Sequence, residues 1–309
     1  MTQNKHKSAL APWVLTDASP ELLRNLDEVP QPPNVLASIF DANHVMWSFT
    51  NGGGLCSTMD IFAHDIVHTA KWCVENDLPC PQVNWSNTLS MYGKDIFNKL
   101  FKPNKEISLE TYAEFDAPRV TATGAVIHPE EIKVLRQVAN DWFRPVEIIT
   151  RIKNQFKKQY NFNPNKGACA YYRGSDKIKE TSLPSYRTYM EPIRNIKRDH
   201  PEITDFLVQS DDPFFQSHVY KPFENNVIIE QLNENLDRAN QETGCHFIGT
   251  SEYRERHVKS FLAALLLMAE CKHIIIPSTN AGRWICALND SERNITQLIM
   301  HANWRPVKL

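Results

Sequence analysis

Residues 167–180 read GACAYYRGSDKIKE, and this stretch decides the fold of the carboxyl-terminal half. An apolar run, Ala168-Cys169-Ala170-Tyr171-Tyr172, ends at once in Arg173-Gly174-Ser175-Asp176-Lys177. That is the pattern of a buried strand emptying into a charged loop, and open α/β sheets place ligands at the carboxyl ends of their strands. Two later stretches repeat it: FLVQSDD at 206–212 and HIIIPSTN at 273–280. Between them the spacing predicts a helix over 186–196 and a nearly apolar one over 257–271, with a short strand at 226–230. A further helix is expected at 279–288, entered directly from the 274–276 strand. Helices alternating with apolar strands favour a mostly parallel sheet covered on both faces.

Upstream, a strand at 45–49 runs into Asn51-Gly52-Gly53-Gly54 and then a helix from about 58 to 76, with Ser57 as the expected N-cap and Asp60 as its capping-box partner. A glycine-rich turn opening a helix is either a phosphate or sugar site or an ordinary tight turn. Pro129 suits the first position of an amphipathic helix over 130–143, and 146–156 has helical spacing. The segment NFNPNK at 161–166 reads as a linker. With 309 residues the chain has room for two domains, here 1–160 and 161–309.

Composition narrows the class. The 34 basic and 36 acidic residues leave a formal charge of -2, which offers no bulk attraction for nucleic acid or an anionic membrane. No apolar stretch reaches membrane-spanning length, and residues 1–15 make a poor signal peptide. The seven cysteines form no CxxC and suggest a reducing compartment, so a cytoplasmic enzyme is expected. On that expectation the glycosylation triplet Asn84-Trp85-Ser86 has no use. Neither a GKS/T phosphate loop, a nucleophile elbow nor an HExxH zinc motif occurs. His64 and His68 share one helix face, a weak metal signal that ordinary satisfied histidines explain as well.

The candidate site residues stand at the strand ends. Arg173 offers a planar fork that matches the oxygens of a diphosphate, or it pairs with Asp176, Asp211 or Glu180. Lys177 either screens substrate charge or is an exposed surface lysine. Asp211 and Asp212 bind an ion or hydroxyls, or else organise the loop, with Asp212-Pro213 resembling a helix start. Ser278, Thr279 and Asn280 sit where helix amides and hydroxyls receive an anion, or where they simply cap the helix. Arg283 faces the same pocket or pairs with an acidic neighbour.

In order and context these strand ends resemble the donor domain of GDP-fucose-dependent fucosyltransferases, closest to the α1,6-fucosyltransferase and nodulation fucosyltransferase group. Residues 171–177 resemble that family's HxRR-(G/T)-D-K-like segment, with Arg173 on its first arginine, Tyr171 on its histidine and Gly174 on its second arginine. Ser210-Asp211-Asp212-Pro213 is similar to its (S/T)DD(P) segment, and 278–283 to its Ser-Ser-Gln-x-x-Arg-like phosphate segment. Residues 53–57, with Gly54, resemble the turn before its first long helix. Ala263 falls where the family places a guanine-reading aspartate.

The resemblance implies an α/β chain of two Rossmann-like domains in a glycosyltransferase-B-like arrangement, the second binding the nucleotide. It implies an inverting, metal-independent transfer of fucose from GDP-fucose to a hydroxyl of a glycan or glycosylated acceptor. Arg173 would stabilise the departing diphosphate, and Glu180 would be the catalytic carboxylate. Gly54, Asp176, Lys177, Asp212, Ser278, Thr279, Asn280 and Arg283 would bind the donor. Tyr171, Gly174 and Ala263 motivate two alternatives: a glycosyltransferase using another nucleotide sugar, and a non-catalytic glycan- or nucleotide-binding protein.

Overall fold

Among the described residues the amino-terminal half is mainly helical. The computed structural model describes residues 37–41, 44–47, 54–77, 80, 89–90, 92–120, 126–174, 183–233, 250–289, 293–298 and 304–307. Among the described residues before 160, the strands form three separate antiparallel pairs: β1 (Ala37–Asp41) with β2 (His44–Trp47), β3 (Leu89–Ser90) with β4 (Gly93–Lys94), and β5 (Phe101–Lys102) with β6 (Arg144–Pro145). The helices are α1 (Leu55–Glu75), α2 (Ile96–Leu100), α3 (Glu110–Ala113), α4 (Pro129–Trp142) and α5 (Glu147–Gln159).

The first helix, α1, starts earlier than its sequence suggests. Gly54, extended at φ −67° and ψ 166°, is the N-cap in place of Ser57. Leu55 and Cys56 are drawn into the helix because both are buried there. Asp60, the expected capping-box acid, points instead into the core, beneath the same face that buries Met59, Phe62, Ile66 and Val67.

The second half holds one six-stranded sheet. Its elements are β7 (Gly167–Tyr172), α6 (Tyr186–Asp199), β8 (Asp205–Ser210), α7 (Pro213–His218), β9 (Asn225–Val227), α8 (Ser251–Ala269), β10 (His273–Pro277), α9 (Asn280–Ala287), β11 (Asn294–Leu298) and β12 (Trp304–Val307). The strand order is β12-β11-β10-β7-β8-β9, and every pairing is parallel except β11 with β12. The chain therefore winds outward from β7 through β8 to β9, and α8 carries it back to the other side of β7.

Side chains of β7 alternate between two cores, as a period of two requires. Ala168, Ala170 and Tyr172 join Phe206, Val208 and Ile275 under α6 and α7. Cys169 and Tyr171 join Leu207, Ile274 and Ile276 under α8 and α9. Burial on both faces explains the uninterrupted apolar runs. The second core is continuous with α1 and α4, extending from Leu55 to Ile295, so the amino-terminal helices pack directly on the sheet's own covering helices. Helix α5 lies against α8 and is tied to it by Lys153 and Lys157, both paired with Glu270.

Candidate functional site

The winding reverses at β7, with β8 on one side and β10 on the other. A doubly wound sheet leaves a crevice at the carboxyl end of such a point. Arg173 follows β7, Asp211 and Asp212 follow β8, and Ser278 to Asn280 follow β10, so all three sequence candidates converge on this edge. Helix α1 supplies a fourth wall. Burial pushes the Cys56 thiol well up, Asp60 adds to the rise, and the charges of Arg173 and Arg283 both reach the sulfur to oppose it. The start of α1 lies against α9, whose Trp284 donates to the Cys56 carbonyl at 3.2 Å.

Arg173 is paired with Asp211, its side chain 14% exposed. The other Asp211 oxygen accepts the Gly174 amide at 2.7 Å. This is the acidic-neighbour arrangement among those open from sequence, and it aims the guanidinium along the carboxyl edge. Gly174 has no space for a side chain: a Cβ there would lie 2.7 Å from Tyr172 Cε1 and 2.9 Å from Asp212 Cβ.

Asp212 serves as an N-cap. Its Oδ1 accepts from the amides of Phe214 at 2.9 Å and Phe215 at 3.3 Å, and its Oδ2 accepts from the Tyr186 hydroxyl. Each oxygen of the Asp211-Asp212 pair therefore accepts a hydrogen bond from the chain itself. Among the described residues no group of three or more histidine, cysteine, aspartate or glutamate side chains is placed to hold a metal. His64 instead contacts the Pro118 carbonyl at 2.8 Å through Nδ1, with the His68 ring against it.

At the third strand end, both hydroxyls are turned inward. Ser278 is fully buried; its hydroxyl donates to the Leu298 carbonyl at 3.3 Å and accepts from Gln297 Nε2 at 2.8 Å. Thr279 caps α9, accepting the Gly282 amide at 3.2 Å. Asn280 opens the helix and is partly exposed, while Ala281, Gly282 and Arg283 behind it are buried, so this corner presents the start of a helix rather than a pair of hydroxyls. Gly282 lets that turn sit directly on β10, since a Cβ there would fall 2.5 Å from the Pro277 carbonyl oxygen.

Arg283 lies in the interior, with no exposed surface. Its guanidinium binds Asp60 at 2.6 Å, Glu131 at 2.7 Å and the Arg119 carbonyl at 2.8 Å. It pairs with acidic neighbours instead of standing on the crevice edge. Trp284 beside it donates to Asp60 Oδ1 at 2.7 Å. These partners were missed from sequence: Asp60 reads as a capping-box acid, and Glu131 was not singled out. The signal available was Asp60 recurring at helical spacing within the apolar face of α1.

Gly54 stands at the N-cap of α1, its would-be Cβ 3.7 Å from the Tyr92 hydroxyl. Asp176, Lys177 and Glu180 lie outside the described residues.

No protein-family model matches the chain, and no curated protein sequence matches it. Solved structures do. The chain is similar to the NodZ α-1,6-fucosyltransferase soaked with GDP-fucose, at 11% identity and a TM-score of 0.54, over 84% of this chain and 97% of that one. The same enzyme co-crystallised with GDP matches at 11% identity and a TM-score of 0.51, over 84% and 96%. The selenomethionine form of NodZ from Bradyrhizobium matches at 10% identity and a TM-score of 0.50, over 84% and 97%. The α/β fold is related to that of these fucosyltransferases across most of both chains. Among the described residues no helix is long and apolar enough to cross a membrane.

Proposed function

We propose that the protein is an inverting glycosyltransferase that moves fucose from GDP-fucose to a hydroxyl of a glycan or glycosylated acceptor. The observation that carries the reading is the placing of a partly buried arginine held by Asp211, Arg173, and the first turn of α9 on the two sides of the sheet's winding reversal. A diphosphate spanning that crevice meets a guanidinium on one side and a helix start on the other, and both favour negative charge.

In the reaction the acceptor hydroxyl oxygen attacks the anomeric carbon from the face opposite the diphosphate. The bond from that carbon to the β-phosphate oxygen breaks, its electron pair stays with the phosphate, and the hydroxyl proton passes to a carboxylate. Arg173 and the α9 amides receive the growing charge. Glu180 is the proposed base, with Asp176 and Lys177 as further donor contacts. Asp212 and Ser278 hold the loop ends, Gly54 opens the wall made by α1, and Arg283 positions α9 from within. The likeness to NodZ over nearly the whole of that enzyme supports the related α/β fold, and on it the nucleotide is assigned to the parallel sheet of 161–309; the described strands of 1–160 form antiparallel pairs in place of the Rossmann-like sheet expected there.

A second reading, a different nucleotide sugar, draws on Tyr171, Gly174 and Ala263, all three buried. A panel of sugar nucleotides tests both. Turnover of GDP-fucose alone supports the first reading, and turnover of another donor supports the second. Binding without turnover would leave a non-catalytic nucleotide-binding protein.

A further inference from the structure

Two carboxylates, Asp60 on α1 and Glu131 on α4, share the guanidinium of Arg283 inside the core. Their surroundings are unequal. Glu131 has a second cation: Arg119 donates to its Oε2 at 2.6 Å through Nη2 and to its Oε1 at 3.1 Å through Nε. Among the described residues Asp60 is bonded to one cation, Arg283, while the charge of Arg119 reaches it from beyond Glu131. Its Oδ1 takes the Arg283 and Trp284 donors, and among the described residues its buried Oδ2 has no hydrogen-bond partner. When two acids share one base in a dry site, the less supported acid holds its proton more tightly.

We infer that Asp60 is the proton-linked member of this cluster, and that binding of an anionic diphosphate at the α9 end of the crevice is accompanied by proton uptake at Asp60. The inference rests on the donor-site reading above. Asp60 is bonded to two consecutive residues of α9, Arg283 and Trp284, and Thr279 caps that same helix. Its field and that of a bound diphosphate overlap in a low-dielectric interior, where charge interactions reach furthest. The anion disfavours a second negative charge nearby, so the neutral form of Asp60 gains. By reciprocity, the neutral form binds the anion more tightly.

The electrostatics of the pair agree with the geometry. Burial raises Asp60 from its ordinary value to about 7, against the pull of Arg283 and helped by Glu131. For Glu131 burial acts upward too, but Arg119 and Arg283 outweigh it and hold the group below its ordinary range. The charged or ionisable groups around Asp60 are Arg283 from α9, Glu131 from α4, Arg119 beyond it, and Cys56 one turn earlier on α1. From α3, which also packs on α1, the Tyr112 hydroxyl is turned to Asp141 at 2.7 Å.

The test is calorimetry of GDP-fucose binding at about pH 7 in two buffers of different ionisation enthalpy. GDP-fucose carries its diphosphate as a diester at both ends, so the ligand itself has no phosphate group that titrates near neutrality. The expected result is uptake of a fraction of a proton by the natural chain and none by Asp60→Asn. Across about pH 6 to 8 the natural protein should lose affinity several-fold as pH rises, while the Asp60→Asn profile stays flat. A merely structural Asp60 would shift affinity equally at every pH. Binding without proton uptake, or uptake unchanged in Asp60→Asn, would overturn the inference and leave the donor-site reading standing. If GDP-fucose does not bind at all, the donor-site reading fails and the inference falls with it.

Discussion

Arg173 and Asp211 meet because β7 and β8 are in register to their last residues. Tyr172 pairs with Ser210, and one step further along each strand the arginine stands beside the aspartate. The same carboxylate takes the Gly174 amide, so one buried acid fixes both the direction of the guanidinium and the start of its loop.

Removing the guanidinium should therefore have two effects. Arg173→Ala should lower turnover of GDP-fucose by about 100-fold or more, because its contacts tighten as charge builds on the diphosphate. It should also lower the unfolding temperature, since Asp211 is left buried without its cation. Arg173→Lys should recover part of the stability and less of the rate, because lysine keeps the charge but loses the fork. Donor-saturation kinetics beside thermal unfolding separates the two effects. A folded Arg173→Ala protein with near-normal turnover would remove Arg173 from the mechanism.

Gly282→Ala tests the seat of α9. The added methyl would collide with a backbone carbonyl, which cannot rotate away, so the helix must lift from β10. A loss of roughly 1–3 kcal/mol in unfolding free energy is expected, as for other overpacked positions. Donor affinity should weaken in parallel. Denaturant unfolding together with a binding titration checks this, and unchanged values for both would mean that α9 is not held against the strand.

Metal removal should leave turnover intact. The Asp211-Asp212 oxygens accept bonds from Arg173, Gly174, Phe214, Phe215 and Tyr186, and a guanidinium with a helix start can balance a diphosphate. Turnover measured after exhaustive chelation is the assay. Complete loss, restored only by a divalent ion, would assign those carboxylates to a metal.

Stability should depend on pH through Asp60. Its folded value is raised to about 7, so between the ordinary carboxyl range and neutrality the folded protein binds more proton than the unfolded chain. The stability that Asp60 contributes is thus fully present below about pH 4 and is lost as pH rises through about 7. Unfolding temperatures of the natural chain and Asp60→Asn, compared across that window, should show this falling component only in the natural chain. Parallel curves would place the titration elsewhere.

Much of the carboxyl-terminal half is legible in the sequence because local burial writes itself into local pattern. The runs at 168–172 and 274–276 are apolar on both faces, and α4 begins at Pro129, where a missing amide costs a helix nothing. Two strands escaped. In β11 the fully buried Gln297 interrupts the apolar pattern; its side chain accepts from the Ile127 amide and donates to Ser278. β12 completes the sheet's edge antiparallel to β11. Within the site, Arg173 and the α9 start were readable from strand-to-loop transitions. The roles of Asp212 as cap and Arg283 as an interior cation were only alternatives until their partners were in place.

By itself the sequence determined the alternation of strand and helix, the α/β class and the three strand ends on which charged and hydroxyl residues gather. Those follow from periodicity and chain direction, which neighbouring residues settle among themselves. Tertiary structure decided that β10 lies beside β7, so that Arg173 and α9 flank one crevice. It also decided that Arg283 finds Asp60 and Glu131, both in the amino-terminal half of the chain. Strand order and buried charge pairing depend on the packing of residues far apart in sequence, and no local window carries that information.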